Sequence, residues 1–318
     1  MKKAMCAGID VGATYVKIGL VSSGGKIVRK TQIPSKIHAP AAEMLGRTAE
    51  TIRQMMTEDG YELAGIGIGT AGQVDVDKGI LHEAPNMPDW KEVPVGDILG
   101  GHLDMPVVLD NDANVAAWGE YAFGAGRGTR FMLMVTLGTG VGGGMVLDGR
   151  PYRGITNAAG EFGHSTLDMD GWVCGCGRRG CVEAYVGTQG FKRQVAEKLK
   201  AGRTSLLTRI DPEVLMPVDI SRAADEGDAL AVEVFRDTGV YLGHAIADVV
   251  NLLNLERVVI GGGVAKAGER ILGPARETVH AICLRVPSNA VEIVPAQLGN
   301  DAGIIGAAWM AGCLRQDE

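Results

Sequence analysis

The apolar residues of this chain form short strand-like runs that alternate with longer helical repeats. Between residues 41 and 58 apolar side chains recur at helical spacing and Gly60 ends the pattern, which predicts a helix. Short apolar runs bounded by glycine or polar residues predict buried strands at Cys6–Asp10, Tyr15–Val21, Ala64–Ile68, Met105–Leu109 and Arg257–Ile260. Further helices are predicted at Ala113–Phe123, from the capping residue Asp228 towards Asn251, and from the capping residue Asn300 to Cys313. This alternation predicts the α/β fold class.

Two glycine-containing hairpins indicate that the fold contains a duplication. The first two strands join around Gly12, and a second hairpin is predicted over residues 131–147. The segment Val135–Thr139 can be laid over Ile9–Ala13 at the same turn. A chain of 318 residues also exceeds the roughly 250 to 300 residues that one core usually reaches. We therefore predict a small α/β lobe at residues 1–112, completed by the C-terminal helix at 300–318, and a large α/β lobe at 113–299.

Composition and charge exclude several classes of partner. With 46% hydrophobic and 22% charged residues, the chain can bury a sizeable core. The net charge of −7 argues against a broad nucleic-acid-binding surface, so an anionic ligand needs a local pocket. No apolar run approaches the ~20 residues of a membrane-spanning helix, and Asp10 interrupts the stretch that resembles a signal peptide. We expect a cytoplasmic protein with neither a nucleic-acid nor a membrane partner.

The turn of each hairpin has the residues of a phosphate site. In the first turn Gly12 lets the backbone approach a phosphate closely, Thr14 can donate a hydrogen bond, and Asp10 can position magnesium or its waters. An ordinary polar hairpin turn is the alternative. The second turn, Leu137–Gly144, is richer in glycine. Two such turns on opposite lobes would hold a nucleotide between them.

The second glycine run also matches a dinucleotide-binding fingerprint, at Gly138, Gly140 and Gly143. That fingerprint requires a helix directly after the glycines. Here Met145–Leu147 predicts a strand, and the following Asp-Gly pair predicts a turn. The pattern therefore disfavours a nicotinamide-dependent oxidoreductase.

A polar cluster stands where a predicted strand gives way to a helix, in the segment Leu109–Asn114. Side chains at the carboxyl ends of strands face the crevice of an α/β sheet. A hydroxyl group that attacks a phosphoryl group must lose its proton, and a positioned carboxylate can accept it. We predict Asp112 as this general base and Asn111 as a residue that orients a sugar. The alternative makes Asp112 the N-cap of the helix.

Three cysteines and one histidine have the character of a closed metal site. Cys174, Cys176 and Cys181 crowd into one glycine-rich loop, which favours a metal over a disulfide framework and fits a reducing compartment. Together with His164 they complete a tetrahedral set for a structural zinc ion. Taken alone, His164 would more often be an ordinary core or surface histidine.

Two carboxylates flank the predicted zinc ligands. Glu161 lies three residues before His164, and Glu183 lies two residues after Cys181. A bound metal would therefore fix both carboxylates, which suit the paired hydroxyls of a sugar. If one nitrogen of His164 binds zinc, the other can donate to the substrate. The alternative is that both glutamates are solvated surface acids.

Taken together, these segments resemble the ROK family of repressors, open reading frames and kinases. The resemblance is carried along essentially the whole chain by DVGAT, DNDANVAAWGE, LGTGVGGG, GEFGH, CGCGRRGCVEA, VVIGGGV and LGNDAGIIGAA. It implies a two-lobed, duplicated actin/hexokinase-like (ribonuclease H-like) ATPase fold with a structural zinc loop. It also implies phosphorylation of a hexose 6-hydroxyl by MgATP, and assembly as a homodimer or a dimer of dimers.

The resemblance assigns roles to individual positions of this chain. Asp112 corresponds to the catalytic base. The sugar contacts correspond to Asn86, Asn111, Glu161, His164 and Glu183. The first phosphate site corresponds to Asp10, Gly12 and Thr14, the second to Gly138, Thr139 and Gly140, and the adenosine side to Gly261, Gly262 and Gly263.

The chain departs from the family pattern at two places. Ala13 replaces the second glycine of the first turn, and Val186-Gly187-Thr188 replaces a small Ala-Ser-Gly run near the expected sugar pocket. The continuous pattern from NMPDW to NDANVAAWGEYAFGAGRG is similar to that of bacterial glucokinases and favours glucose. N-acetylmannosamine or another hexose or amino sugar is the alternative substrate.

Two non-catalytic functions are also compatible with parts of the pattern. A sugar-responsive repressor of the same family should carry an N-terminal helix-turn-helix, whereas the first strand here is predicted by about residue 6. A sugar-binding protein without catalysis should lack the base or a phosphate turn, and both are present. Both observations favour the kinase.

Overall fold

The computed structural model describes residues 3–313, which form two compact units. Unit 1 contains the residues up to Gly128, the segment Gly144–Gly160, and the residues from Gln297 onwards. Unit 2 contains Thr129–Gly143 and Glu161–Ala296. The predicted boundary after Asp112 falls elsewhere, because the helix that begins there packs against the C-terminal helix inside unit 1.

Unit 1 is built on a five-stranded mixed sheet. Its strands are β1 (Ala4–Val11), β2 (Tyr15–Val21), β3 (Ile27–Pro34), β4 (Glu62–Thr70) and β8 (Val107–Asn111), in the order β3-β2-β1-β4-β8. The first three are antiparallel, while β4 and β8 run parallel to β1. The predicted first hairpin is confirmed. Because Asp10 pairs with Gly69 and Gly69 with Asp110, the polar ends of β1 and β8 lie at one edge of the sheet.

In the described part of unit 1, four helices and a small sheet surround the five-stranded sheet. The helices are α1 (Ala41–Asp59), α2 (Val95–Leu103), α3 (Asp112–Phe123) and α10 (Ala302–Cys313). The antiparallel sheet contains β5 (Gln73–Asp75), β6 (Ile80–Glu83) and β7 (Lys91–Val93). The predicted helices are confirmed within a few residues. Asn300 is an exception, because it lies inside a short 3-10 turn, Gly299–Asp301, and does not directly precede helix α10.

Helix α10 lies directly on the backbone of the central strands. A Cβ atom on Gly8 would fall 1.9 Å from the carbonyl oxygen of Ile304, and one on Gly67 would fall 1.9 Å from that of Ala307. Neither distance is compatible with a side chain. The strands therefore need glycine at both positions to seat the helix.

A buried carboxylate ties α3 to the segment before α10. Glu120 is fully buried and accepts hydrogen bonds from the backbone N–H groups of Ala125, Gln297 and Leu298, at 2.8, 3.1 and 2.7 Å. These bonds satisfy the carboxylate and three backbone donors together, as burial of a charge requires. The connection holds residues that are distant in sequence within one core.

A second sheet repeats the strand order of the first. Its strands are β9 (Met132–Leu137), β10 (Val141–Leu147), β11 (Arg150–Tyr152), β12 (Arg257–Gly261) and β13 (Glu292–Pro295). The second sheet has the order β11-β10-β9-β12-β13, in which β12 runs parallel to both β9 and β13. Strands β9, β12 and β13 belong to unit 2, β10 starts in unit 2 and continues into unit 1, and β11 belongs to unit 1. Because a strand and then a turn follow the glycines, the condition for the dinucleotide fingerprint is not met.

The helices of unit 2 are amphipathic or largely buried. They are α4 (Glu183–Val186), α5 (Thr188–Lys200), α6 (Pro217–Asp225), α7 (Ala229–Leu253), α8 (Glu269–Ile282) and α9 (Arg285–Ala290). Asp228 caps α7, as predicted, because its side chain accepts a hydrogen bond from the N–H of Ala231. Within residues 3–313, no helix combines the length and the apolar character needed to cross a membrane.

The contact between α10 and the central strands predicts that replacing glycine by alanine lowers the stability at Gly67 in β4, but not at Gly101 in α2. Gly67→Ala should lower the free energy of unfolding by roughly 1–3 kcal/mol or more, because the new methyl group displaces the helix. Gly101→Ala is the matched control: Gly101 lies in α2, where a Cβ meets nothing within 4 Å, so alanine should stabilise by up to about 1 kcal/mol. Denaturant unfolding measures both. Equal effects would contradict this packing.

Candidate active site

The first predicted phosphate turn is held by a serine that the sequence reasoning did not identify. The N–H of Gly12 donates to the carbonyl of Tyr15 at 3.1 Å and closes the turn. Ser35, which is buried, donates its hydroxyl to the carbonyl of Gly12 at 2.6 Å and its N–H to that of Thr14 at 3.0 Å. The turn is therefore anchored from the end of β3, while Thr14 itself is exposed.

Asp10 is paired with a lysine that was also missed. The Nζ of Lys17 lies 2.8 Å from a carboxylate oxygen of Asp10, and both side chains are partly buried. The two residues are direct cross-strand partners in the first hairpin, so a register drawn from Gly12 would have found the pair. Lys17 thus sets the orientation of the Asp10 carboxylate.

Asn111, and not Asp112, is the N-cap of α3. The side-chain oxygen of Asn111 accepts hydrogen bonds from the N–H groups of Ala113 and Asn114, and its amide donates to the carbonyl of Gly72 at 3.1 Å. At most one amide N–H of Asn111 can therefore serve a substrate. Asp112 is the first helical residue and is exposed. The alternative that Asp112 is only the cap is wrong.

A buried ion pair lies behind this helix start. Asp110, with 1% of its side chain exposed, accepts a hydrogen bond from the Nε of Arg153 at 2.7 Å. The amide of Asn114 and the N–H of Asn111 also donate to Asp110, at 3.1 and 2.8 Å. A buried carboxylate needs such partners, and these fix the end of β8. The separation of 43 residues between the two charges left no local sequence signal.

Asn86, the predicted sugar contact with the weakest resemblance, lies in an exposed loop with two buried anchors. Met87 and Trp90 are both buried, and the indole N–H of Trp90 donates to the carbonyl of Ala39 at 3.3 Å. Asn86 itself is exposed. Ala39 and Ser35 lie in the same segment between β3 and α1, so one segment supports both this loop and the first phosphate turn.

The second predicted phosphate turn, in unit 2, is held from the segment around α4. The N–H of Gly138 donates to the carbonyl of Gly140 at 3.0 Å. A carboxylate oxygen of Glu183 accepts from the N–H of Val141 at 3.0 Å. The hydroxyl of Thr188 donates to the carbonyl of Gly138 at 3.0 Å. Both ends of the turn are therefore fixed by side chains, and Thr139 between them is exposed.

The four predicted metal ligands come together in unit 2. The candidate ligand atoms of His164, Cys174, Cys176 and Cys181 all lie within 4.8 Å of one another. The Sγ atoms of Cys176 and Cys181 are 3.6 Å apart, and the Nδ1 of His164 lies 3.8 Å from the Sγ of Cys174. Tetrahedral thiolate ligands at about 2.3 Å from a metal are about 3.8 Å apart. The cluster therefore has the spacing and the donor atoms of a tetrahedral metal site.

The three thiols differ in acidity. Burial raises the pKa of the Cys174 thiol to about 12, and burial also raises the pKa of Cys181. A hydrogen bond from the backbone N–H of Arg178 lowers the pKa of Cys176 to about 6. Because a metal binds thiolates, its binding would release protons from the two buried thiols.

The two flanking carboxylates have different surroundings. Glu161 is exposed and immediately precedes the 3-10 turn Phe162–His164, whose first hydrogen bond joins the N–H of His164 to the Glu161 carbonyl. Glu183 is partly buried, and one of its oxygens lies 3.4 Å from the Sγ of Cys174 while the other holds Val141. Glu183 therefore connects the metal cluster to the second phosphate turn.

A cavity of about 350 Å³ opens beside this turn within unit 2. Its lining is mostly apolar and includes Gly138, Thr139, Thr188, Met216, Phe235 and Gly263. The backbone of Gly262 has a φ of 88° and packs on β9, where a Cβ would lie 2.2 Å from the carbonyl of Leu137. Of this glycine run, Gly263 lines the cavity, and Gly262 passes close to the strand that leads into the turn.

The predicted site residues are thus divided between the units. Unit 1 contains Asp10, Gly12, Thr14, Asn86, Asn111 and Asp112. Unit 2 contains Gly138, Thr139, Gly140, Glu161, His164, Glu183, Gly261, Gly262, Gly263 and the three cysteines of the cluster. The structure brings together the metal ligands, and separately the second turn with Glu183.

Comparison with known proteins identifies relatives along almost the entire chain. The chain is 39% identical over 318 residues to the glucokinase of Halalkalibacterium halodurans, and the match covers 98% of this chain and 95% of the relative. A ROK family glucokinase from Streptomyces griseus, solved in complex with glucose and AMPPNP, is 34% identical. Its TM-score is 0.80, and the match covers 97% of this chain and 99% of that structure.

Relatives with a regulatory name are also similar. The xylose repressor of Bacillus subtilis is 28% identical over 307 residues, which cover 96% of this chain and 76% of the repressor. The sequence profile of the ROK family matches residues 6–313. The chain therefore belongs to the ROK family.

Proposed function

We propose that this protein is an ATP-dependent hexose kinase that phosphorylates the 6-hydroxyl of its sugar, with glucose as the first candidate substrate. The observation that carries the proposal is the 34% identity, over 97% of this chain, to a glucokinase solved with glucose and an ATP analogue. The candidate base, both phosphate turns and the cluster around His164 are all present. N-acetylmannosamine or another hexose or amino sugar is the alternative substrate.

The proposed fold is the duplicated actin/hexokinase-like (ribonuclease H-like) ATPase fold. The strand order of the second sheet, β11-β10-β9-β12-β13, repeats that of the first, β3-β2-β1-β4-β8, and this repetition supports a duplication. On the family resemblance we also propose a cytoplasmic enzyme that assembles as a homodimer or a dimer of dimers.

The nucleotide phosphates are proposed to bind at the two glycine turns. Gly12 and Thr14 form the first site, and Gly138–Gly140 the second; both turns are held by hydrogen bonds to neighbouring side chains. Asp10, oriented by Lys17, would hold the magnesium ion that accompanies ATP, and the cation would neutralise phosphate charge. Gly261–Gly263 and the cavity beside them would take the adenosine.

Asp112 is proposed to accept the proton of the sugar hydroxyl. As the proton moves to the carboxylate, the sugar oxygen forms a bond to the γ-phosphorus of ATP and the bond to the bridging oxygen breaks, which releases ADP. Three observations support this role: Asp112 is exposed, it lies at the N-terminus of α3, and it is not needed as the cap. The helix dipole at this end favours the ionised carboxylate.

The sugar is proposed to bind through Asn86, Asn111, Glu161, His164 and Glu183. Because Nδ1 of His164 faces the cysteines, its Nε2 can donate to a sugar hydroxyl. Asn111 can contribute only its remaining amide N–H. Glu183 would share its carboxylate between the sugar and the backbone of the second turn.

The cluster of His164 and the three cysteines is proposed to hold a structural zinc ion. One imidazole and three thiolates saturate a tetrahedral ion, so no coordination position remains to activate water. The spacing of the ligand atoms supports this identity. The zinc would rigidify the loop and, through Cys174 and Glu183, the second phosphate turn.

A sugar-responsive regulator is the second candidate function. It is favoured by the similarity to the xylose repressor, which extends over 96% of this chain. A regulator would bind a sugar without transferring a phosphoryl group, so a turnover assay separates the two functions.

Asp112→Asn provides the direct test of the kinase proposal. A coupled assay of ADP release should show sugar-dependent turnover by the wild type with glucose, and glucose should exceed mannose, allose, N-acetylglucosamine and N-acetylmannosamine. The variant should bind sugar but lose about 10²- to 10⁴-fold in turnover, because the amide cannot accept the proton. Asp77→Asn, at an exposed turn of the same unit, is the control and should retain full turnover.

Each outcome of this assay has a distinct meaning. Binding of sugar by the wild type without turnover on any of the five sugars would reject the kinase and favour the regulator. Near-normal turnover by Asp112→Asn would reject Asp112 as the base while leaving the kinase activity in place.

Removal of one ligand tests the zinc proposal. Elemental analysis of the purified protein should find about one zinc per chain. Cys176→Ser should lose the metal and lower the unfolding free energy, since structural zinc contributes on the order of 10 kcal/mol. Cys283→Ser, outside the cluster, is the control and should keep the metal and the wild-type unfolding free energy. A folded, active wild type without metal would contradict the proposal.

A further inference from the structure

The segment in which this chain departs from the family pattern lies against the second phosphate turn. Helix α4 ends at Val186, Gly187 follows as the N-cap of α5, and Thr188 is the first residue of α5. The sequence associates this segment with the sugar pocket. In the structure, a Cβ on Gly187 would lie 3.3 Å from the carbonyl oxygen of Thr139, in the turn itself.

Thr188 makes two hydrogen bonds to one carbonyl group of that turn. Its hydroxyl donates to the carbonyl oxygen of Gly138 at 3.0 Å, and its backbone N–H donates to the same oxygen at 3.2 Å. Thr188 is buried, with 5% of its surface exposed, so these bonds are shielded from water. The hydroxyl is therefore part of a fixed contact and not a mobile surface group.

The contact determines where the next N–H group of the turn points. In a planar trans peptide, the C=O of one residue and the N–H of the next point in opposite directions. Because the carbonyl of Gly138 is directed at Thr188, the N–H of Thr139 is directed away from α5. Thr139 is exposed. By holding the carbonyl of Gly138, Thr188 directs the N–H of Thr139 towards the exposed side of the turn. An anion site requires backbone donors in such a position.

The position of Thr188 beside the cavity indicates which substrate its contact with the turn affects. Thr188 lines the cavity of about 350 Å³ together with Gly138, Thr139 and Gly263. These are the residues that the proposed function assigns to the nucleotide. Glu183, the nearest proposed sugar contact in this segment, holds the other end of the turn through Val141.

We propose that Thr188 is a positioning residue for the nucleotide phosphates, and that this departure from the family pattern sets affinity for the nucleotide and not the identity of the sugar. The inference rests on the proposed kinase function, since it concerns the same phosphate turn.

Substitutions of Thr188 distinguish the contribution of its hydroxyl to nucleotide binding from that of its side-chain shape. Thr188→Val keeps the β-branched shape and the backbone N–H but removes the hydroxyl, whereas Thr188→Ser keeps the hydroxyl. Binding of MgAMPPNP is measured by calorimetric titration. Thr188→Val should bind about three- to tenfold more weakly than the wild type, because one hydrogen bond is lost. The affinity of Thr188→Ser should stay within about twofold of the wild type. The Kd and the KM for the sugar should be unchanged in both variants.

A third variant and a folding measurement show whether a loss of nucleotide affinity comes from the missing hydroxyl. Thr188→Ala, which introduces no new branch at the start of α5, should show the same loss of nucleotide affinity as Thr188→Val, and both should retain the wild-type circular dichroism spectrum. Wild-type nucleotide affinity in Thr188→Val, or an equal loss of sugar affinity, would overturn this inference alone. A wild-type protein that binds no nucleotide would overturn the proposed function and the inference together.

Discussion

The first unit depends on the contact of the C-terminal helix with the backbone of two central strands. Gly8 and Gly67 leave no side chain between β1, β4 and α10, so the helix carbonyls lie where side chains would otherwise stand. The same seating places Gly303 against the Asp10 carboxylate, because a Cβ on Gly303 would lie 3.1 Å from the Cγ of Asp10. The position of the proposed magnesium-binding aspartate is therefore set by residues that are far away in the chain.

The second unit fixes its phosphate turn by hydrogen bonds from side chains. Glu183 holds one end, Thr188 holds the other, and Glu183 also lies beside Cys174 of the proposed zinc cluster. The cysteines of the cluster, Glu183 and Thr188 thus lie in one short segment that contacts the proposed phosphate turn. Under the proposed roles, a change that moves Glu183 would affect both the sugar and the nucleotide, whereas a change at Thr188 would affect the nucleotide.

Much of the fold could be predicted because periodicity is a local property. The strands around Gly12, the helix from Ala41 and the cap at Asp228 all followed from neighbouring residues. The metal cluster was also predictable, since three of its ligands lie within eight residues. Local reasoning failed where two neighbours compete for one role: either Asn111 or Asp112 could cap α3, and only the backbone geometry shows that Asn111 does.

Contacts between distant segments were beyond the reach of sequence reasoning. Asp110 and Arg153 are 43 residues apart, Ser35 lies 23 residues from Gly12, and Thr188 lies 50 residues from Gly138. None of these pairs has a periodic or spacing signal, because each is created by the packing of whole elements. The residues that support the site were therefore found only in the structure, while most of those that carry its proposed chemistry were already marked in the sequence.

The proposed mechanism requires Asp112 to accept the proton of a sugar hydroxyl. A crystal structure of the protein with glucose and AMPPNP would test it most directly. We expect a carboxylate oxygen of Asp112 at about 2.6–3.2 Å from the 6-hydroxyl, with that hydroxyl directed at the γ-phosphorus. Glucose bound with another hydroxyl towards the phosphate, or with a different side chain in contact with the 6-hydroxyl, would contradict it.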